Sequence, residues 1–125
     1  MKKKIIILGS TGSIGCTTIN IVLKNKNNFD VILLTANKNY VKLLIQAKKL
    51  NCRNIVIFNK ENFFKAKIMN KNKKIKIFNS IKEFLNNHKG KVDYTMCAIT
   101  GISGLMPIIQ ITRITKNLAI ANKES

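Results

Sequence analysis

Acidic residues are scarce in this chain. Asp30, Glu61, Glu83, Asp93 and Glu124 are the only five among 125 residues, and they fall on different predicted elements. Such scattering offers no carboxylate cluster for Mg²⁺ or Mn²⁺, which take several oxygen ligands at once. Histidine is scarcer still. His88 stands alone at the polar end of a predicted helix and reads as a surface residue rather than a catalyst. Cys16, Cys52 and Cys97 are odd in number, widely spaced and set among apolar neighbours. They read as buried, reduced thiols in a reducing compartment, not as a disulfide framework. No apolar run approaches the roughly 18 residues of a membrane span. The basic N-terminus also lacks the long apolar region and cleavage site of a secretion signal, so a cytoplasmic location is expected.

Against the five acids stand 23 basic residues, for a formal net charge of +18. That magnitude suits a nucleic-acid footprint, but its make-up argues otherwise. Of the 23, 21 are Lys and only Arg53 and Arg113 are Arg. Asn and Ile, which share A/T-rich codons with Lys, are also heavily used, the pattern of a mutational bias laid over solvated faces. A protein reading base edges would use more Arg. The charge spreads along the chain, with short clusters only at Lys2–Lys4 and Lys71–Lys76. A basic nucleic-acid binder stays as an alternative, which a steep loss of affinity between about 50 and 200 mM salt would reveal.

What is present is a packed domain. The hydrophobic content is 46%, and a chain of this length buries roughly two-thirds of its unfolded surface. Ile5–Leu8 is an apolar strand, Ile14–Lys24 a helix with a face of Ile14, Ile19, Val22 and Leu23, and Asn25–Asn28 a polar loop. Val31–Ala36 is a continuous apolar strand of the kind covered on both faces. Tyr40–Leu50 is a helix through Val41, Leu44, Ile45 and Ala47, and Asn54–Phe58 a third strand. Lys60–Met69 is a helix, Lys74–Phe78 a short alternating strand, and Ile81–Asn87 a brief helix capped by Ser80. Val92–Ile99 is a fourth core strand and Thr100–Gly104 a glycine loop. Leu105–Thr115 is a helix with Pro107 in its first turn, and Leu118–Ala121 the last strand. Alternation of this kind predicts an α/β fold, Rossmann-like and doubly wound, with a mostly parallel sheet and helices on both faces. An order of 3-2-1-4-5 for the core strands puts the turn after strand 1 at the topological switch point.

That turn reads Gly9-Ser10-Thr11-Gly12-Ser13-Ile14-Gly15. Gly9 permits the positive φ of a tight strand-to-helix turn, Gly12 removes a Cβ where a ligand approaches, and Gly15 lets the helix lie close to the strand. Ser10, Thr11 and Ser13 add hydroxyl donors, and the helix N-terminus favours an anion. The spacing is G-x-x-G-x-x-G rather than the G-x-G-x-x-G of the dinucleotide fingerprint. No Gly-Lys-Ser/Thr follows, which excludes a Walker A loop.

The end of the second strand reads Thr35-Ala36-Asn37-Lys38-Asn39-Tyr40, with no acid. An NAD binder places Asp or Glu near this point to hold the adenosine ribose. A carboxylate would repel a 2′-phosphate, whereas Lys38 attracts one, so NADP(H) is favoured over NAD(H).

Taken together, the glycine turn, the Ala36-Asn37-Lys38-Asn39 tip, Gly101-Ile102-Ser103-Gly104-Leu105 with Pro107, and the closing Ala121-Asn122-Lys123-Glu124-Ser125 resemble one family in order and spacing. They look like the N-terminal part of 1-deoxy-D-xylulose 5-phosphate reductoisomerase. The resemblance implies an NADPH-dependent, metal-dependent (Mg²⁺ or Mn²⁺) rearrangement and reduction of that sugar phosphate to 2-C-methyl-D-erythritol 4-phosphate, on the non-mevalonate route to isoprenoids. It implies a homodimer for the complete enzyme. Carried over by position, Thr11, Gly12, Ser13 and Ile14 hold the NADPH pyrophosphate, and Asn37, Lys38 and Asn39 face the adenosine end. Asn122 and Glu124 contact the cofactor and Lys123 the sugar phosphate. Asn37 departs from a glycine often found there, but Asn also tolerates positive φ. Residues 1–125 are thereby expected to be the NADPH-binding domain. The family's metal ligands, flexible loop and C-terminal helical region lie beyond Asn-Lys-Glu-Ser. A stand-alone NADP-binding module without catalysis is the other alternative.

Overall fold

The computed structural model describes residues 2–71, 74–99 and 101–120. Strand β1 (Lys3–Leu8) leads into α1 (Ser13–Lys24), β2 (Phe29–Ala36) into α2 (Tyr40–Leu50), and β3 (Asn54–Ile57) into α3 (Lys60–Met69). Then follow β4 (Lys76–Phe78), α4 (Ile81–Asn87), β5 (Val92–Cys97), α5 (Leu105–Thr112) and β6 (Thr115–Ile120). The strands form one sheet in the order β4-β3-β2-β1-β5-β6, and every pairing is parallel. The expected order of the five longer strands is therefore found. The short alternating segment adds beside β3, pairing Ile55 with Ile77.

Period-2 alternation along β1 explains the two-sided core. Ile5 and Ile7 join a cluster with Ile19 and Val22 of α1, Leu43 and Ala47 of α2, and Ala66 of α3. Ile6 and Leu8 turn the other way and pack with Ile81 and Phe84 of α4 and Ile111 of α5. The reversal of crossover direction between β3–β4 and β5–β6 leaves β1 and β5 as the pair around which the chain is wound.

Several expected boundaries differ. The last helix stops at Thr112, and the last strand starts at Thr115 rather than Leu118. Pairing with β5 decides this. The Val92 N–H donates to the Ile114 carbonyl at 2.6 Å, and Thr115 sits in register with Val92. Strand β5 ends at Cys97, and the Asn25–Asn28 loop contains a 3₁₀ turn at Lys26–Asn28. The buried stripe of α2 is also rotated from the expected one. Val41 and Ile45 are 42% and 49% exposed, while Leu43, Leu44, Gln46, Ala47 and Leu50 face inward.

Helix starts are capped by short polar side chains, as their chemistry favours. Asn39 accepts the Lys42 N–H, Asn59 the Asn62 N–H and Ser80 the Glu83 N–H. Glu83 reaches back to the Asn79 N–H at 2.9 Å, a variant of the capping box. Helices α1 and α5 start instead at Gly12 and Gly104, where no side chain caps them.

Candidate functional site

A cleft of about 570 Å³ opens at the carboxyl ends of β1, β2, β3 and β5. Its floor includes Gly9, Thr11 and Gly12 after β1, and Thr35, Ala36 and Asn37 at the end of β2. Ile81, Ala98, Ile99, Met106 and Pro107 give it a mostly apolar wall. The uncapped starts of α1 and α5 both border this cleft.

The glycines explain how tightly the turn is folded. Gly9 has φ +77°, and a Cβ there would lie 2.9 Å from Ile99 Cγ1 and 3.1 Å from the Ala98 carbonyl. Gly15 is packed against the turn itself, since a Cβ would lie 2.6 Å from Ser10 Cα. Gly12 differs. Only the Gly9 carbonyl, at 3.9 Å, is near its Cβ direction. The positive φ expected at Gly9 is present, Gly15 packs closely on the turn, and the space beside Gly12 is open. The first N–H groups of a helix lack intrahelical partners, and the dipole adds positive character there. Among the described residues no side chain caps α1, and a helix start of this kind suits an anion.

Of the residues expected to bind cofactor, Thr11, Gly12 and Asn37 line the cleft, and Ser13 and Ile14 follow in the first turn of α1. Lys38 and Asn39 lie at the exposed β2–α2 junction, with Asn39 engaged as the α2 cap. Asn122, Lys123 and Glu124 lie outside the described residues.

Two expectations about the turn and the tip are corrected. Ser10 does not present a hydroxyl to the cleft. It is fully buried, and its Oγ donates to Gln46 Oε1 at 2.8 Å. Asn37 does not adopt positive φ, for Asn51 is the only described non-glycine residue that does. Instead, the Asn37 carbonyl accepts the Asn59 N–H at 2.9 Å, tying the tip to the end of β3. Gln46, Thr35 and Lys42, which hold the turn, are not among the residues expected from the sequence. The one available signal was a glutamine interrupting the apolar stripe of α2.

Cys52 and His88 do not line this cleft, whereas Cys16 touches the glycine turn. Burial pushes the Cys52 thiol up to about 12, and burial also raises Cys97. Cys16 is only half-buried, with its thiol 3.4 Å from the Thr11 carbonyl. His88 is half-buried as well, not the surface residue expected. Its ring stacks on Phe84 with centroids 5.0 Å apart. Among the described residues, no three of His, Cys, Asp or Glu come together to hold a metal ion. No helix among them is long and apolar enough to cross a membrane.

A glycine turn at the switch point of a doubly wound parallel sheet defines the Rossmann-like α/β class. Within that class the chain belongs to the 1-deoxy-D-xylulose 5-phosphate reductoisomerase family, whose model matches residues 5–125. It is 46% identical over 126 residues to the reductoisomerase of Pelagibacter ubique, covering 98% of this chain and 32% of that protein. A Wolbachia relative from Brugia malayi is 39% identical over 124 residues, with the same coverage. Among solved structures, the Zymomonas mobilis enzyme in complex with NADPH is similar with a TM-score of 0.86 at 30% identity. That likeness covers 98% of this chain and 32% of the other. A reductoisomerase solved with NADPH, fosmidomycin and magnesium is similar at 27% identity and a TM-score of 0.83, covering 98% and 31%. The chain spans about a third of the length of these relatives.

Proposed function

We propose that this chain is the NADPH-binding portion of a 1-deoxy-D-xylulose 5-phosphate reductoisomerase, which rearranges its sugar phosphate and reduces the product with NADPH. The observation that carries the reading is the family match across the whole cleft-forming chain, with an uncapped α1 opening onto that cleft. The match favours neither a stand-alone NADP module nor a nucleic-acid binder.

In this reading the N–H groups of Thr11, Gly12, Ser13 and Ile14 hold the pyrophosphate at the start of α1. Asn37, Lys38 and Asn39 face the adenosine end, and the Lys38 ammonium attracts the 2′-phosphate. Asn122 and Glu124 contact the cofactor and Lys123 the substrate phosphate. The apolar wall of Ile81, Ile99, Met106 and Pro107 suits a flat ring and keeps water from it. NADPH supplies the hydride, and these residues bind and orient it. The described residues hold no ligand set for Mg²⁺ or Mn²⁺, so no metal-dependent step is assigned to them. The complete enzyme is proposed to be a cytoplasmic homodimer acting on a small sugar phosphate, with no nucleic-acid or membrane partner.

Thermal unfolding of the 125-residue chain with each cofactor tests the reading. NADPH at about 100 times its dissociation constant adds roughly 2.7 kcal/mol, or several degrees in Tm. NADH at the same concentration should shift the melt less. Equal shifts would contradict the choice of NADPH, and no shift with either would overturn cofactor binding.

A further inference from the structure

Gln46 interrupts the apolar stripe of α2 and is only 6% exposed. Its amide closes on one residue of the glycine turn with both ends. Oε1 accepts from Ser10 Oγ at 2.8 Å, and Nε2 donates to the Ser10 carbonyl at 3.0 Å. The same Nε2 lies 4.0 Å from Cys16 Sγ on α1. One turn earlier on α2, Lys42 Nζ donates to the Thr11 carbonyl at 3.2 Å. Two consecutive carbonyls of the turn are therefore drawn toward α2.

A trans peptide is planar, with its C=O and N–H pointing in opposite directions. The Ser10 carbonyl shares its peptide unit with the Thr11 N–H, and the Thr11 carbonyl shares its own with the Gly12 N–H. No described peptide is cis. Pulling both carbonyls toward α2 turns both N–H groups away from it. Thr11 and Gly12 line the cleft, and successive N–H groups aimed one way form an anion-binding concavity.

We infer that Gln46, assisted by Lys42, is a positioning residue for the cofactor's pyrophosphate: it sets the direction of the Thr11 and Gly12 N–H groups without touching the ligand. The inference rests on the NADPH reading above. It deepens that reading by separating two tasks along the β2–α2 unit. Lys38, just before α2, selects for the 2′-phosphate, whereas Gln46 serves the pyrophosphate that NADPH and NADH share. Losing Gln46 weakens both cofactors together and leaves their ratio unchanged.

The experiment measures dissociation constants of NADPH and NADH for the 125-residue chain, well below its melting temperature. Gln46→Met keeps the bulk and removes both hydrogen bonds. It is expected to raise both constants about tenfold, with the ratio preserved. Leu50→Ala serves as the control for stability alone. Leu50 is buried on the same helix and makes no hydrogen bond to the turn through its side chain. This variant should lower Tm at least as much while leaving both constants within about twofold of the original. At saturating NADPH, amide exchange at Thr11 and Gly12 should be quicker in Gln46→Met and unchanged in Leu50→Ala.

If Gln46→Met does not fold, Gln46→Glu takes its place. It keeps the acceptor for the Ser10 hydroxyl, but as a carboxylate it cannot donate to the Ser10 carbonyl, and it puts negative charge beneath the phosphates. The loss should be at least as large. Binding within about twofold of the original by whichever variant folds overturns the inference. So does an equal loss in Leu50→Ala, which would make the effect one of stability. Failure of the unsubstituted chain to bind NADPH overturns the reading on which the inference rests, a result distinct from both.

Discussion

The Thr35 hydroxyl accepts the Gly9 N–H at 2.9 Å, while the Thr35 carbonyl accepts the Ser10 N–H at the same distance. One fully buried residue at the end of β2 thus satisfies two consecutive donors of the turn after β1. The glycine turn is held from the neighbouring strand as well as from α2. A buried N–H without a partner costs about 1–3 kcal/mol, more than a made bond contributes. Thr35→Val is isosteric but offers no acceptor, so it should destabilise by about that amount, read as a lower urea midpoint with an unchanged slope. Thr35→Ser should retain most of the stability. An unchanged midpoint in Thr35→Val would show that another group satisfies Gly9.

Gly12 and Gly15 should respond oppositely to the same added methyl. At Gly15 the new carbon would meet backbone atoms of Ser10 at 2.6 and 2.7 Å, and backbone cannot step aside. Gly15→Ala should cost on the order of 3 kcal/mol. At Gly12 the nearest atom is 3.9 Å away. Gly12→Ala should remain within about 1 kcal/mol of the original stability, yet weaken NADPH, because on the proposed function the methyl would take the place of the pyrophosphate. Urea melts and cofactor titrations on the two variants separate the effects. Gly12→Ala binding NADPH at full strength would remove the pyrophosphate from this position.

Lys38→Asp should erase the preference for NADPH over NADH. On the proposed function, a charge-assisted bond from Lys38 to the 2′-phosphate would contribute about 1.5–3 kcal/mol, roughly tenfold to a hundredfold in affinity. NADH binding should change little. Parallel titrations with both cofactors decide it, and a preference that survives would assign the 2′-phosphate to another cation.

His88 gives the chain a pH-dependent stability. Burial of its ring, with the Lys4 charge adding, lowers its pKa below the usual 6.5, and the Gly90 carbonyl offsets this only in part. Its Nε2 is buried without a hydrogen-bond partner among the described residues. The folded state therefore binds the proton less readily than the unfolded state. Stability is fully present above pH 6.5 and falls as the pH drops through the lowered folded value. His88→Phe should keep the stacking on Phe84 and flatten this decline between about pH 7 and 5. Chemical denaturation across that range is the measurement, and an equal decline in the variant would assign the slope to another group.

Much of the architecture was local and hence legible. Runs such as Ile5–Leu8 and Val31–Ala36 announce strands covered on both faces, and Ser80 announces a helix start, because apolar periodicity and capping depend on residues a few positions apart. The positive φ of Gly9 and the close packing at Gly15 were readable for the same reason, since a missing Cβ has few uses in a strand–turn–helix. Distant partners settled the rest. Pairing with β5 drew Thr115 out of the expected helix, and the sheet took up α2 by a face containing Gln46, leaving Val41 and Ile45 outside. The Ser10 hydroxyl could be read as a ligand donor until a side chain 36 positions later was seen to claim it. The sequence by itself determined the order of elements, the glycine turn and its place at the switch point. Only the tertiary structure decided which hydrogen-bonding groups of that turn face the core and which face the cleft, because a buried polar atom takes whichever partner packing brings to it, however distant along the chain.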